Sequence, residues 1–345
     1  MSITDKDIPQ IEKLKELISK SRNVVITCHL SPDGDALGSS LGLKHVLSCL
    51  GIECRVITPD CPPQSLSFLP GYNDVMPLSR YETLVRSHVN RADLIFCLDY
   101  NELKRVDRLA PYIEASPARK IMIDHHLHPA TEGFDVQISH PEISSTCALL
   151  YKVICAMGLD EYITKDAAEC IYTGMMTDTG NFSYNSNDPD LYLAISDLLE
   201  RGIDKDQIYR QAMNVRSENS IRLNSYALLE KLEVFPEYHA ALICITRDEA
   251  NRFGYKKGDT EGLVNVPLSI PGVVYSCYLR DEEDYVKVSM RSVGDFPVNK
   301  LCKEHFGGGG HLNAAGGEFH DGDMHKCAEL FKSLMPENLS LITKE

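Results

Sequence analysis

The chain has 345 residues, of which 50 are Asp or Glu and 35 are Lys or Arg, so its formal net charge is −15. This length suits two domains better than one. The acidic balance argues against broad binding to long nucleic acids, including long duplexes, because such binding needs an extended basic surface. A short nucleotide held by a few placed cations is compatible with this charge.

The cysteines and the N-terminus bear on cellular location. Twelve cysteines are present, without a Cys-x-x-Cys pair that would indicate a zinc ribbon or a thioredoxin-type site. Many lie inside apolar runs and are expected to be buried thiols, which favours a cytosol-like compartment. The segment Met1–Asp7 is too polar for a signal peptide, and the chain lacks an apolar run long enough to span a bilayer. We expect a cytoplasmic protein without a membrane partner.

Short aliphatic runs alternate with helical sequence in the first half of the chain. Apolar residues at helical spacing predict an opening amphipathic helix over Ile11–Ile18. The strand-like runs are Val24–Cys28, Cys54–Thr58, Leu94–Leu98, Ile121–Ile123 and roughly Phe134–Ile138. The main helical stretches are Ala36–Leu50, Ser145–Met157 and Lys165–Met175. This alternation predicts an α/β domain over residues 1–187 with a doubly wound, mainly parallel sheet. Gly38 and Gly42 are expected to allow close packing against that sheet.

Turn-forming residues interrupt the pattern near Asn185–Asp190. Helical sequence then resumes, so we expect residues 188–232 to form a helical linker. A smaller α/β domain is expected over residues 233–345. Its predicted elements are strands at Ala240–Thr246, Val273–Leu279 and Val286–Arg291 and helices near Val298–His305 and Met324–Met335. The active site is expected in a cleft between the two domains, which is a common place for ligands.

Acidic and imidazole residues follow the predicted strands. The segment His29–Asp35 follows the first strand, Asp99 follows the third and Asp124-His125-His126 follows the fourth, while Asp178 follows a helical stretch. Because the carboxyl ends of parallel strands meet at one edge of a sheet, these side chains are expected to converge. Close carboxylates would repel one another unless cations neutralised them. Asp and His suit Mn²⁺ or Mg²⁺, and imidazole favours Mn²⁺.

Asp33-Gly34-Asp35 has an alternative interpretation as a plain turn followed by a helix N-cap. Together, however, the four segments resemble in order the motifs of the DHH/DHHA1 phosphoesterase family. The segment Gly307–Gly317 resembles the glycine-rich motif of the DHHA1 domain. The resemblance covers nearly the whole chain. It implies a hydrolase in which two divalent ions, typically Mn²⁺ with Mg²⁺ or Co²⁺ as alternatives, activate a water that attacks phosphorus.

The resemblance also implies a role for individual residues. The ligands of one ion would be His29, Asp33 and Asp99. The ligands of the other would be Asp35, Asp99, His125 and Asp178, so that Asp99 bridges the two ions. His126 would act near the leaving group, as a proton donor or a phosphate contact. Asp124 would orient a neighbouring imidazole.

Candidate substrate residues lie in the second domain. Consecutive glycines can present amide N–H groups to an anion, which points to Gly308, Gly309 and Gly310, and His311 is expected to contact a substrate phosphate. Arg291 lies at a strand end, where its guanidinium can bind a phosphate through two hydrogen bonds; a solvated surface arginine is the alternative.

The loop before this region is less informative. Tyr255, Lys256 and Lys257 either stack on a base and contact phosphate or belong to a solvated loop. Arg280 precedes four acidic residues and is expected in a solvated turn.

The resemblance implies short substrates: oligoribonucleotides, linear dinucleotides such as pApA, or 3′-phosphoadenosine 5′-phosphate. A polyphosphatase or pyrophosphatase is the enzymatic alternative, although the glycine-rich motif disfavours the pyrophosphatase type. A non-catalytic nucleotide sensor and an RNA-binding accessory domain are alternatives from other classes. Every expected ligand position is filled, which disfavours the sensor, and the acidic charge disfavours the RNA-binding domain. The sequence is compatible with a monomer or a homodimer.

Overall fold

The structure, a computed structural model, describes residues 6–320 and 323–342. Clustering of contacts divides the chain into two compact units, with the boundary between Val215 and Arg216. Most of Met1–Asp7, the segment weighed above against a signal peptide, lies outside the described residues. Within the described part, each helix is too short or too polar to cross a membrane.

The first unit contains a parallel sheet and the helices that cover it. Its strands are β1 (Asn23–Thr27), β2 (Glu53–Thr58), β3 (Met76–Pro77), β4 (Leu94–Leu98), β5 (Arg119–Asp124) and β6 (Val136–Ser139). Its α-helices are α1 (Ile8–Lys20), α2 (Gly34–Cys49), α3 (Leu78–Arg91), α4 (Ala110–Ala115), α5 (Thr146–Ala156), α6 (Lys165–Asp178), α7 (Pro189–Glu200) and α8 (Lys205–Met213). All strand pairs in the order β3-β2-β1-β4-β5-β6 are parallel.

The sheet of the first unit is buried on both faces. Val24 and Ile26 of β1 belong to the core that contains α2, α5 and α6, whereas Val25 belongs to the core that contains α3. Successive strand residues point to opposite faces, so burial on both sides produces the continuous aliphatic runs seen in the sequence. The predicted doubly wound fold is confirmed. The strand order changes direction between β1 and β4, which is where ligands bind in such sheets.

A row of glycines on α2 contacts α6 and not the sheet, so the expectation for Gly38 and Gly42 was wrong. A Cβ atom on Gly38 would lie 2.5 Å from the carbonyl oxygen of Cys170, and one on Gly42 would lie 2.7 Å from Cγ1 of Ile171. A Cβ on Gly34 would overlap the side chain of Thr177. The glycines therefore allow the two helices to approach closely.

The range 188–232, expected as a linker, is divided between the two units. Helices α7 and α8 bury Leu191, Leu198 and Ile208 in the core of the first unit. Helix α9 (Glu218–Tyr226) instead buries Leu223 in a core of the second unit, together with Ile243. Apolar faces that pack into different cores explain why the unit boundary falls inside the predicted linker.

The second unit is a smaller α/β unit with a mixed sheet. Its strands are β7 (Leu232–Phe235), β8 (Ala240–Ile245), β9 (Tyr275–Asp281), β10 (Val286–Ser292), β11 (Gly309–His311) and β12 (Ala314–Phe319). Its remaining α-helices are α10 (Arg247–Arg252), α11 (Val298–His305) and α12 (Met324–Asn338). The order is β11-β12-β10-β9-β8-β7, in which β8 and β9 are parallel and the other pairs antiparallel.

The two faces of the second sheet differ. Helices α11 and α12 pack on one face, where Val288 and Met290 of β10 are buried. On the other face, α9, α10 and the 3₁₀ segment Leu263–Ser269 form a core over β8 and Tyr278 of β9. The part of this face formed by β10 and β12 instead lines a cavity of about 860 Å³.

Candidate metal centre and substrate groove

The candidate metal centre lies at the carboxyl ends of three neighbouring strands. His29 follows β1, Asp99 follows β4, and Asp124 ends β5. Asp99 has a positive φ of 62°, which is uncommon for a residue with a side chain and is often found at functional sites. Its backbone N–H donates to the carbonyl oxygen of Ile123 over 3.2 Å. The local fold thus brings residues from separate strands together.

Asp33 both caps a helix and faces an imidazole. Its Oδ1 accepts hydrogen bonds of 3.0 Å from the backbone N–H groups of Asp35 and Ala36, so it is the N-cap of α2. Its Oδ2 lies 3.8 Å from Nε2 of His29. The N-cap interpretation and the ligand interpretation are therefore compatible.

His29 is oriented toward carboxylates by a backbone contact. Its Nδ1 lies 2.8 Å from the carbonyl oxygen of Leu30, which holds a proton on Nδ1 and directs Nε2 toward the carboxylates. Nε2 lies 3.4 Å from Oδ2 of Asp99. His29, Asp33 and Asp99 place one possible ligand atom each within 4.8 Å of one another.

His125 has the same arrangement on the other side of Asp99. Its Nδ1 lies 3.1 Å from the carbonyl oxygen of Ile143. Its Nε2 lies 3.5 Å from Oδ2 of Asp178 and 3.7 Å from Oδ1 of Asp99. Its separation from Oδ2 of Asp35 is 3.9 Å. Asp99 therefore presents one oxygen to His29 and the other to His125, which is the geometry required of a bridging ligand.

The donor atoms fit divalent cations. Adjacent ligands about 2.1 Å from an octahedral ion are roughly 3 Å apart, so the separations observed between Nε2 atoms and carboxylate oxygens need only small shifts to enclose one. The mixed carboxylate and imidazole set suits Mn²⁺. Asp35, Asp99, His29 and His125 are nearly buried, with side chains at most 10% exposed, so water screens their charges poorly.

The electrostatics of the cluster also indicate a need for cations. Burial, and then the charges of Asp99 and Asp33, raise the pKa of Asp178 to about 8. Burial and the charge of Asp99 likewise raise the pKa of Asp35. Burial by itself lowers the pKa of His29, but its hydrogen bond to Asp99 and the charge of that residue offset this and raise the pKa to about 9. Each of these pKa shifts reflects uncompensated carboxylate charge, which a bound divalent cation would neutralise.

His126 is held by Asp124. Its Nδ1 lies 2.7 Å from Oδ1 of Asp124, and its backbone N–H donates to Oδ2 of the same carboxylate over 3.0 Å. The Asp124 side chain is fully buried. This pair fixes the imidazole ring, so that a proton exchanged with a substrate would be carried on Nε2. The same Nδ1 lies 3.7 Å from Oδ1 of Asp99, beside the candidate ligands.

Thr146 is a site residue that the sequence analysis missed. The backbone N–H groups of Thr146 and Cys147 donate to the two carboxylate oxygens of Asp35, over 2.6 and 2.8 Å. The Thr146 hydroxyl donates to Oδ1 of Asp99 over 2.9 Å. The N-terminus of α5 thus stabilises both carboxylates through its hydrogen bonds and its dipole. The sequence feature that indicates this helix start is Ser145, the N-cap of α5.

The glycine-rich segment forms the β11–β12 hairpin. The N–H of Gly308 donates to the carbonyl oxygen of Cys302 over 3.0 Å, which corrects the expectation that this amide contacts an anion. A Cβ on Gly308 would overlap Gly316, and one on Gly310 would overlap Ala314. These glycines permit close chain packing. Within the run Gly307–Gly310, Gly309 is the one residue with open space around its Cβ position, and Gly307 and Gly309 both line the cavity of the second unit.

Arg291 and His311 lie in one row of the second sheet. Both are register partners of Ala314, on opposite sides of it. The two residues are therefore separated by two strand spacings, about 10 Å. Arg291 lines the cavity with Gly309, whereas His311 is exposed at the end of β11 and does not line it. Their contact with substrate phosphates stays a prediction, as does a cleft between the domains.

Family comparisons agree with this geometry. A model described as "DHH family, N-terminal domain" matches residues 23–175, and one described as "DHHA1 domain" matches residues 239–337. The chain belongs to the DHH/DHHA1 family. Membership confirms the expectation that this DHH/DHHA1 protein is a hydrolase.

Individual relatives support the assignment. A Thermus thermophilus protein named bifunctional oligoribonuclease and PAP phosphatase NrnA is 29% identical over 317 residues, covering 92% of this chain and 90% of the relative. A crystal structure described as an exopolyphosphatase-related protein from Bacteroides fragilis is 47% identical, with a TM-score of 0.94, covering 96% of this chain and 97% of the other. RecJ from T. thermophilus, in complex with Mn²⁺, shares the fold at 14% identity and a TM-score of 0.52, covering 99% of this chain and 55% of RecJ.

Proposed function

We propose that this DHH/DHHA1 protein is a divalent-metal-dependent phosphoesterase that hydrolyses short oligoribonucleotides, including linear dinucleotides such as pApA, and 3′-phosphoadenosine 5′-phosphate. The observation that carries the proposal is the position of Asp99, whose two oxygens face His29 and His125 at 3.4 and 3.7 Å. Two ligand sets that share one carboxylate suit a pair of ions. The name of the T. thermophilus relative supports the choice of substrates.

The candidate ligand residues would hold two divalent cations and fix their positions. We assign His29, Asp33 and Asp99 to one cation, and Asp35, Asp99, His125 and Asp178 to the other. Bound divalent cations lower the pKa of water and neutralise charge on phosphoryl oxygens. Thr146 keeps the carboxylate of Asp99 in place through its hydroxyl. The backbone carbonyls of Leu30 and Ile143 hold the imidazoles of His29 and His125 with Nε2 toward the carboxylates.

His126 would serve the leaving group. Asp124 fixes its ring through Nδ1, so Nε2 is the atom that would donate a proton to the departing oxygen or a hydrogen bond to phosphate. The buried carboxylate of Asp124 holds the ring in one orientation by accepting a hydrogen bond at each of its two oxygens. This arrangement of carboxylate, imidazole and substrate oxygen resembles the general acid–base pairs of many hydrolases.

The second unit would recognise the substrate. Arg291 and His311 flank Ala314 in one row of the sheet, and we assign both to substrate phosphates. Arg291 can form two parallel hydrogen bonds with a phosphate, which gives orientation as well as binding energy. Gly309 leaves space for a ligand to approach the backbone of the hairpin.

Hydrolysis of polyphosphate is the second candidate. The B. fragilis structure, which is 47% identical, is described as an exopolyphosphatase-related protein. The same metal centre could serve either substrate, because both present phosphorus bonded to a leaving oxygen. The two candidate substrates differ in that nucleotides carry a nucleobase and polyphosphate does not. A polyphosphatase would therefore gain nothing from aromatic side chains near the phosphates.

A parallel assay tests the proposal. Purified protein with Mn²⁺ would be given pApA, a five-nucleotide RNA, 3′-phosphoadenosine 5′-phosphate, polyphosphate and pyrophosphate, with Asp35→Asn as the inactive control. We expect at least one nucleotide substrate to be hydrolysed fastest. Faster turnover of polyphosphate than of every nucleotide would favour the second candidate. Bound Mn²⁺ and bound nucleotide without hydrolysis would instead indicate a sensor.

A further inference from the structure

One part of the cavity in the second unit has no assigned role. Lys287, Ser289 and Arg291 alternate along β10 and line this cavity of about 860 Å³. Residues at every second position of a strand share a face, so Lys287 lies on the same face as Arg291, about 13 Å along the strand. Arg291 is already assigned to a phosphate at one end. The other end is formed by Lys287 and its neighbours.

Arg280 lies at that other end of the cavity, where several contacts hold its side chain in place. It is only 7% exposed, so the expectation of a solvated turn was wrong. Its guanidinium donates to Oγ1 of Thr260 over 3.2 Å and forms an ion pair with Glu282. The guanidinium carbon lies 4.3 Å from the ring centroid of Tyr255, in a cation–π contact. These contacts fix both Arg280 and Tyr255 at the wall of the cavity.

Lys287 lies between Arg280 on β9 and Glu318 on β12, its register partners in the sheet. Like charges directly opposite on neighbouring strands are unfavourable, and the ion pair of Arg280 with Glu282 reduces the repulsion between Arg280 and the exposed Lys287. Glu318, its partner on β12, lies 3.4 Å from His320. Among the described residues, no carboxylate lies within ion-pair distance of Lys287. Partial desolvation, and then the charge of Arg280, lower the pKa of Lys287.

We propose that Lys287, Arg280 and Tyr255 form a second subsite, which binds a phosphate and an adjacent base of an oligonucleotide strand beyond the nucleotide at Arg291. The proposal rests on the proposed function and narrows its substrate class to chains of more than one nucleotide. A phosphate beside Lys287 would accept a charge-assisted hydrogen bond from its ammonium group, which makes no ion pair with a described residue. In a chain with a net charge of −15, a cavity lined by four Lys or Arg residues and two Glu residues is a local exception that can attract a polyanion.

The aromatic residues favour an oligonucleotide over a bare phosphate chain. Tyr255 and Tyr285 both line the cavity, and aromatic rings bind bases by stacking without regard to sequence. Inorganic polyphosphate carries no group that would stack on them. Lys287 and Arg291 lie about 13 Å apart along the strand, whereas a charge-assisted hydrogen bond spans only about 2.8 Å. The two side chains are therefore expected to contact different phosphates.

Binding measurements test the subsite without requiring hydrolysis. Full-length protein in EDTA would be titrated into a fluorescein-labelled five-adenosine RNA, and fluorescence anisotropy would give the dissociation constant at several salt concentrations. Lys287→Gln should weaken RNA binding about tenfold and reduce the magnitude of the salt slope by about 0.7, the value for one single-strand phosphate contact. Lys303→Gln, an exposed lysine on α11, is the matched control and should match wild type.

The ratio of the affinity for RNA to the affinity for 3′-phosphoadenosine 5′-phosphate distinguishes loss of this subsite from a general loss of structure. The Lys287→Gln change should reduce the affinity for RNA relative to that for 3′-phosphoadenosine 5′-phosphate. Tyr255→Leu, which keeps an apolar group against the core, should weaken RNA binding but not polyphosphate binding. Equal losses on RNA and on the mononucleotide, or unchanged RNA binding in Lys287→Gln, would overturn the proposal. The assignment to an oligonucleotide would be rejected if the protein bound polyphosphate as tightly as RNA and if Lys287→Gln weakened that polyphosphate binding. Wild-type hydrolysis of pApA, measured separately, reports on the proposed function.

Discussion

The hydroxyl group of Thr146 donates a hydrogen bond to Oδ1 of Asp99 over 2.9 Å, and both side chains are buried. A hydrogen bond to a buried charged group contributes about 1.5–3 kcal/mol. We therefore expect Thr146→Val, which keeps the shape but removes the hydroxyl, to lower turnover of pApA by roughly tenfold or more. Thr146→Ser restores the donor and should recover most of the rate. A folded Thr146→Val enzyme with wild-type turnover would contradict an orienting role.

Asp99→Ala should reduce hydrolysis more than substitution of any other single ligand, because its two oxygens face both ligand sets. We expect loss of turnover well beyond tenfold, which corresponds to about 1.4 kcal/mol of barrier, and loss of both ions by elemental analysis. Asp33→Ala, which affects one set, is the comparison. Turnover of Asp99→Ala within about tenfold of wild type would argue against bridging.

His126→Ala should retain both ions but lose most of the rate. The reason is that Nδ1 of His126 is engaged with Asp124 at 2.7 Å, whereas His125 presents Nε2 to three carboxylates. Elemental analysis and turnover on pApA would be measured together, with exposed His128→Ala as the control. A drop in ion content would make His126 a ligand.

Arg291→Ala should weaken nucleotide binding and leave ion content intact. Lys cannot reproduce the two parallel hydrogen bonds of a guanidinium, so Arg291→Lys should share the penalty. The loss should be seen with pApA and 3′-phosphoadenosine 5′-phosphate and be much smaller with bis-p-nitrophenyl phosphate, which lacks a second phosphate. Equal losses on all three substrates would indicate a role in the fold or the metal centre.

The stability of the second unit should depend on pH through Glu249. Burial opposes ionisation of this residue, but hydrogen bonds from Lys231 and Tyr226 more than offset it and lower the pKa from 4.5 to about 2. A lowered carboxyl pKa contributes stability that is fully present above 4.5 and is lost as the pH falls toward 2. The melting temperature of wild type should therefore exceed that of Glu249→Gln at pH 6, and the gap should narrow between pH 4.5 and 2. Glu304→Gln, an exposed substitution on α11, is the matched control.

The features of the fold that could be predicted were those determined by residues close together in the sequence. Strand Leu94–Leu98 was predicted with the bounds that the structure has, because burial on both faces demands an uninterrupted apolar run. The convergence of His29, Asp99 and His125 followed from the same logic, because residues that follow neighbouring parallel strands lie at the same edge of the sheet. Strand β12, in contrast, was missed, since its glycines have low strand propensity and its pairing depends on distant residues.

Contacts between residues distant in the chain were likewise hidden. Thr146 meets Asp99 across 47 residues, and a threonine at a helix start is ordinary in isolation. Arg280 was assigned to solvent because four acids follow it, yet β9 places it on the inner wall of a cavity opposite Lys287. The neighbours that decide such positions are set by sheet register, which a single sequence does not display.

In the proposed metal centre, the glycine row of α2 would constrain the size of the ion that Asp35 and Asp178 can hold together. Asp35 lies in the first turn of α2 and Asp178 at the end of α6, so the distance between their carboxylates follows the separation of the two helix axes. A methyl group at Gly38 would meet the carbonyl oxygen of Cys170 at 2.5 Å and push the helices apart. Ca²⁺ binds oxygen at about 2.3–2.6 Å and Mg²⁺ at about 2.0–2.1 Å. Widening by a few tenths of an ångström would therefore shift ion preference toward calcium, which is a larger and catalytically poorer cation.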